Sequence, residues 1–180
     1  DNNPDVFMID LFRPIRDALE EISGRVYGQH EEETYAFRVI MDHMRAATFM
    51  IADGAAPSSK DQGYFTRRMI RRAVRHASAL GMNKNFCAEI ATAVIAAYDG
   101  AYPLLEKSKD LILAEMTKEE EKFRKTLAEG LKVFESKVEN LDTKTISGKD
   151  AFDLYQSYGF PLEVTQELAD ERGLEIDLEA

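Results

Sequence analysis

Apolar residues recur along this chain at i, i+3 and i+4, and strict apolar/polar alternation over a strand length is hard to find, so the pattern predicts helices almost throughout. A first helix over about Asp10 to Ser23 has Leu11, Phe12, Ile15, Leu19 and Ile22 on one side, Pro14 in its first turn and Gly24 as its stop. A second, about Tyr35 to Ala52, gathers Phe37, Ile40, Met41, Met44, Thr48 and Ile51 on one face and leaves Arg38 and Arg45 off it. From Gly54 to Gly63 periodicity is lost, and Gly, Pro, Ser and Asp mark a mobile polar loop. Helices follow over about Tyr64 to Leu80 and about Asn85 to Tyr98, the latter small and apolar enough for the centre of a bundle.

From Pro103 to about Asn140 runs one long helical pattern, or two in series, with Leu113, Met116, Phe123, Leu127, Leu131, Phe134 and Val138 on its stripe. Lys118 to Lys122 reads as a solvated charge run, and Gly130 as a point where the helix can bend. Ser147-Gly148-Lys149-Asp150 fits a capping box opening a helix to about Tyr158. Gly159-Phe160-Pro161 breaks it before a last helix over about Pro161 to Arg172, with Gly173 at its C-cap. The expectation is an all-α fold, a bundle of about six or seven helices including one long one. It is read as one domain over residues 1–180, divisible into a basic helical core over 1–100 and the long helix with the C-terminal helices over 101–180.

With 180 residues, 44% of them hydrophobic, the chain can build a real core. No apolar run approaches the roughly 18 to 20 residues that span a bilayer. The start, Asp1-Asn2-Asn3-Pro4-Asp5, has neither the basic flank nor the apolar centre of a signal peptide, and no initiating Met, which suggests an excised fragment of a cytoplasmic protein. Cys87 is the single cysteine, so no intrachain disulfide or cysteine-based metal knuckle is expected.

Charge sharpens the picture because it is unevenly spread. The net value is -10, yet Arg38 to His76 holds eight Lys and Arg against three Asp, a local +5. Such asymmetry suits a localised polyanion site on an otherwise repelling body. With ~100° of turn per residue, Arg67, Arg71, Arg75, Arg68 and Arg72 share one arc of the third helix, opposite Met69, Ile70, Ala73, Val74, Ala77 and Leu80. Like charges at i, i+4 repel, so something anionic should face them.

Two candidates stand open: carboxylates of the acidic remainder, pairing the arginines within the fold, or an RNA phosphate backbone. The upstream loop favours RNA, since Pro57-Ser58-Ser59-Lys60 offers hydroxyls and an ammonium and leads through Gln62-Gly63 into a helix N-terminus. Arg38 and Arg45 would widen the patch and His76 extend it. His43 beside Asp42 would pair or pack, His30 before Glu31 to Glu33 reads as a solvated loop or helix start, and the methionines read as core filler. Phosphate-loop, dinucleotide, nucleophile-elbow and zinc signatures are all missing from these residues, so no catalytic or metal-binding group is assigned.

Three blocks stand in order along the chain: Val6-Phe7-x-x-Asp10-Leu11-Phe12-x-Pro14-Ile15; Arg38-Val39-Ile40-Met41-Asp42-His43-Met44-Arg45 through Phe49-Met50-Ile51-Ala52-Asp53-Gly54, Pro57-Ser58 and Gly63-Tyr64 to Arg67-Arg68-x-x-Arg71-Arg72-Ala73-Val74-Arg75-His76; and Ala151-Phe152-Asp153-Leu154-Tyr155-x-x-Tyr158-Gly159-Phe160-Pro161-Leu162 with Glu171-Arg172-Gly173-Leu174. Together they resemble alanyl-tRNA synthetase. The resemblance implies the helical middle region of that ligase, after the class II catalytic core, docking the tRNA(Ala) acceptor stem and reading its G·U wobble pair. The implied partners are that stem and the catalytic and editing domains of the parent chain, with no membrane or DNA partner. This segment itself would hold no cofactor and would not aminoacylate alone. ATP, magnesium and, in the editing domain, zinc would serve the parent enzyme elsewhere.

The resemblance implies a backbone-binding set of Arg67, Arg68, Arg71, Arg72, Arg75, Lys60, Arg38 and Arg45, and a reading set of Ser59, Gln156, Ser58 and Gln62. Three positions depart from the family: Ser59 stands where it carries Asn, Gln156 where it carries Asp, and Gln62 where an Arg is usual. The competing reading is a non-catalytic protein-interaction module whose arginines are paired internally.

Overall fold

A computed structural model of the chain describes residues 4–141 and 143–177. Asp1 to Asn3, which entered the reading of the N-terminus, lie outside the described residues. The chain divides into two compact units, Asp1–Glu121 and Lys122–Ala180.

The first unit opens with a short 3-10 turn, Val6–Met8, followed by α1 (Arg13–Ser23), α2 (Glu31–Ala52), α3 (Asp61–Ala79), α4 (Cys87–Ala97), α5 (Pro103–Lys107) and the start of α6 (Lys109–Glu139). The long pattern is thus two helices in series. α2 and α3 form an antiparallel hairpin: Thr66 donates to the Ala55 carbonyl (2.7 Å) at one end, and Tyr35 meets His76 edge-on (5.5 Å) at the other. Phe37, Ile40, Met41, Met44 and Ile51 of α2, and Ile70, Ala73, Val74 and Ala77 of α3, are buried. α4 is buried through Ile90, Ala91, Val94 and Ile95, and packs on both α1 and α2.

The charge run at Lys118 to Lys122 is not uniformly solvated, because Glu119 and Glu120 are buried. Glu120 accepts from the backbone N–H of Phe86 (3.1 and 3.2 Å) and of Cys87 (2.9 Å), and so caps the N-terminus of α4 from outside that helix. A carboxylate there satisfies orphan donors and meets the positive end of the helix dipole.

The second unit holds the rest of α6, then β1 (Thr145–Ser147), α7 (Gly148–Tyr158), α8 (Leu162–Glu171) and β2 (Glu175–Asp177). β1 and β2 pair in parallel, Thr145 with Glu175, Ile146 with Ile176 and Ser147 with Asp177. This sheet corrects the all-α expectation: the fold is helical with a two-stranded parallel sheet and is not a pure helical bundle. Strands of three residues show no readable alternation, and their partner lies some thirty residues away, which is why pattern alone passes over them.

The capping box forms, with the Ser147 hydroxyl accepting from Asp150 N–H (3.1 Å) and donating to its carboxylate (2.7 Å), while Lys137 pairs with the same carboxylate. α6 runs unbroken through Gly130, so that glycine marks close packing within the unit. A Cβ there would stand 2.5 Å from the Phe160 ring, which also meets Phe123 edge-on at 5.8 Å.

Candidate functional site

The loop before α3 is tied down, which corrects its reading as mobile. Ser58 N–H donates to the Gly63 carbonyl (3.0 Å), and its hydroxyl donates to the Lys60 carbonyl (2.7 Å) while accepting from Lys60 N–H (3.3 Å). α3 starts at Asp61, earlier than expected, in a left-handed conformation (φ 51°). Gly63 admits this fold: a Cβ would lie 2.3 Å from the Ala56 carbonyl oxygen and 2.4 Å from the Ser58 hydroxyl. Ser58 therefore shapes the loop, whereas Ser59 and Lys60 remain exposed along its edge and Gln62 is exposed in the first turn of α3.

The arginines of α3 do not form one solvent-facing arc. Arg71 and Arg75 are each only 6% exposed. The anion expected opposite them is Glu119, itself 4% exposed, which accepts from Arg71 Nε at 2.6 Å and lies 2.6 Å from its Nη2 and 3.3 Å from Arg67 Nε. Arg75 reaches His76 Nδ1 at 3.4 Å, and His76 is buried under Tyr35 instead of extending a basic surface. The helix turns these residues inward because α6 supplies a buried carboxylate there, which composition and phase along α3 alone do not reveal.

Arg72 donates to His43 Nε2 (2.8 Å) and to the Tyr35 hydroxyl (3.4 Å). A guanidinium can only donate, so Nε2 is the acceptor and His43 Nδ1 carries the hydrogen shared with Asp42 (3.1 Å). That hydrogen bond holds the Asp42 carboxyl below its ordinary 3.8 against the opposing effect of burial, with the Arg45 and Arg72 charges adding to it. Arg38 binds Tyr27 (2.8 Å) and Asp5 (2.9 Å), and Arg45 binds the Tyr98 hydroxyl (3.1 Å) with its guanidinium 5.0 Å from the Phe12 ring centre. Both fasten elements of the first unit together. Arg68 instead lies against Phe65, 5.0 Å from its ring centre. In the second unit Gln156 is exposed on α7, beside exposed Tyr155 and on the helix that carries exposed Phe152.

A family model described as tRNA synthetases class II (A) matches residues 1–180. The chain belongs to the class II tRNA synthetases, in the alanyl-tRNA synthetase family. Similar proteins include an alanine--tRNA ligase of Borrelia hermsii, 45% identical over 96% of this chain and 29% of its own length. One of Halalkalibacterium halodurans is 42% identical over 99% of this chain and 21% of its own, and one of Thermotoga petrophila 44% identical over 96% and 20%. The chain spans 20% to 29% of the length of these relatives.

Within this synthetase-family chain, no three His, Cys, Asp or Glu side chains among the described residues gather as metal ligands, and no helix there is long and apolar enough to cross a membrane. Reading the sequence missed Glu119 and Glu120 as partners and Phe65 as an exposed ring. A signal for the glutamates exists: the buried stripe Ile112, Met116, Phe123 and Leu127 leaves a gap at i+3 and i+4 from Met116, and they fill it.

Proposed function

We propose that this chain docks the acceptor stem of tRNA(Ala) and inspects its G·U wobble pair for a parent alanine--tRNA ligase acting in cytoplasmic translation. The observation that carries the reading is a polar edge made of Ser59 and Lys60, exposed on a tied-down loop, and Gln62, exposed in the first turn of the helix that carries Arg68. Lys60 and Arg68 meet phosphates, with Arg72 further along the same helix, while Arg38 stays with Asp5 and Tyr27. Arg67, Arg71, Arg75 and Arg45 serve as braces that hold the edge in place. Guanine in a wobble pair presents its 2-amino group in the minor groove, so the protein must offer acceptors. The Ser59 hydroxyl and Gln156 carbonyl can accept, without the charge assistance of a carboxylate, so discrimination is weaker than with Asn and Asp. ATP, magnesium and zinc belong, on this reading, to other parts of the parent enzyme.

Fluorescence anisotropy of the chain with a hairpin copying the acceptor stem, G·U against G·C at the third pair, tests this across a salt series. Affinity should fall steeply with salt as counterions compete, and the Ser59→Asn, Gln156→Asp double variant should widen the preference for G·U. Absence of binding at low salt would overturn the reading. The Glu119 pairing, together with the Arg38–Asp5 pair, favours an interaction module with internally paired arginines, and binding to a protein partner that hardly responds to salt would support that alternative.

A further inference from the structure

We infer that Phe65 is a stacking platform for an unpaired nucleobase of the bound RNA, an inference that rests on the RNA-docking reading and adds a single-stranded contact to it. Phe65 is 47% exposed, near the start of α3. Among the described residues, it is the exposed ring of those that carry a guanidinium over them; Phe7, Tyr27 and Phe12, which meet Arg38 and Arg45, are at least partly buried. Tyr64, half-buried, sets its ring edge-on to Phe65 with centroids 6.3 Å apart. Helical phase keeps Asp61, Arg68 and Arg72 within about 60° of Phe65. The ring therefore shares its face of α3 with Asp61 and two half-buried arginines, Arg68 and Arg72, the second of which donates to the hydroxyl of exposed Tyr35.

The surroundings select the ligand. A partner helix docks on a broad apolar stripe, whereas Phe65, with half-buried Tyr64 at its edge, is set among the polar Asp61, Gln62 and Arg68. Paired stems turn phosphates and hydroxyls outward and keep their base faces stacked inside. An unpaired base offers an open π face joined to a phosphate, and an exposed ring with a guanidinium against it matches both. Arg68 and Lys60 then neutralise the phosphates on either side of the stacked base, with Asp61 as the one carboxylate close in sequence.

The chain has no tryptophan, so Phe65→Trp installs a single reporter at the stacking position. Two hairpins of one stem, blunt or with a single-stranded 3′ tail, are titrated against the wild-type chain, Phe65→Trp and Phe65→Ala. Expected are quenching of the Trp by the tailed hairpin alone, and an approximately tenfold loss of affinity in Phe65→Ala confined to that hairpin. Unquenched Trp with equal binding of both hairpins by Phe65→Ala would overturn the stacking role and leave stem docking intact. An equal loss on both hairpins would place Phe65 against the stem and also overturn it. Failure of the wild-type chain to bind either hairpin at low salt would overturn the docking reading itself.

Discussion

Arg71 and Arg68 sit three residues apart on α3 and meet different surroundings. Arg71 is buried and shares Glu119 with Arg67, whereas Arg68 lies against an exposed phenylalanine beside a solvent-facing loop. Removing a guanidinium from water without a counter-charge is costly, so the buried end of the helix is committed to its carboxylate. Arg68 is half-buried, with its guanidinium over the Phe65 ring at the border of that loop. A count of arginines therefore overstates the ligand-facing charge of this segment. Much of its local +5 is spent on internal contacts.

The sharpest way to break this contrast is Glu119→Ala, which removes the buried carboxylate that Arg71 and Arg67 both face. It should destabilise the first unit by about 3–5 kcal/mol, read by urea denaturation. Unchanged stability would mean that the buried end is not committed. Next in size, Gly63→Ala drives a methyl into the Ala56 carbonyl and the Ser58 side chain. A loss of about 1–3 kcal/mol is expected, with the loop displaced, measurable as faster amide exchange at Ser58.

Arg68→Ala should leave stability within about 0.5 kcal/mol of wild type, yet lower the slope of log affinity against log salt by about one for an acceptor-stem hairpin. A variant that loses stability without changing the slope would move Arg68 to the structural group. The smallest effect concerns Asp42, whose carboxyl is held below 3.8 in the folded chain by the His43 hydrogen bond. Its contribution is full above the unfolded value and disappears as pH falls through the lowered folded one. Thermal melts from about pH 7 downward should show Asp42→Asn less stable near neutrality and level with wild type in strong acid.

Helical phase, caps and breakers were legible because they are local. The Ser147–Asp150 box, the stops at Gly24 and Gly159 and the α2 core face all follow from spacing along the chain. The arc of five arginines and the family motifs were equally readable. The β1–β2 pair was not, since two three-residue strands acquire meaning only when α7 and α8 bring them together.

What the sequence determined by itself is the helical framework, the family and the position of the cationic segment, because these depend on periodicity and local order. Which arginines are braces and why Gly130 is a glycine were decided only by tertiary structure. A buried carboxylate from α6 and the ring of Phe160 set those answers across long stretches of chain, and burial, the quantity that decides the worth of a charge, is a property of the packed molecule.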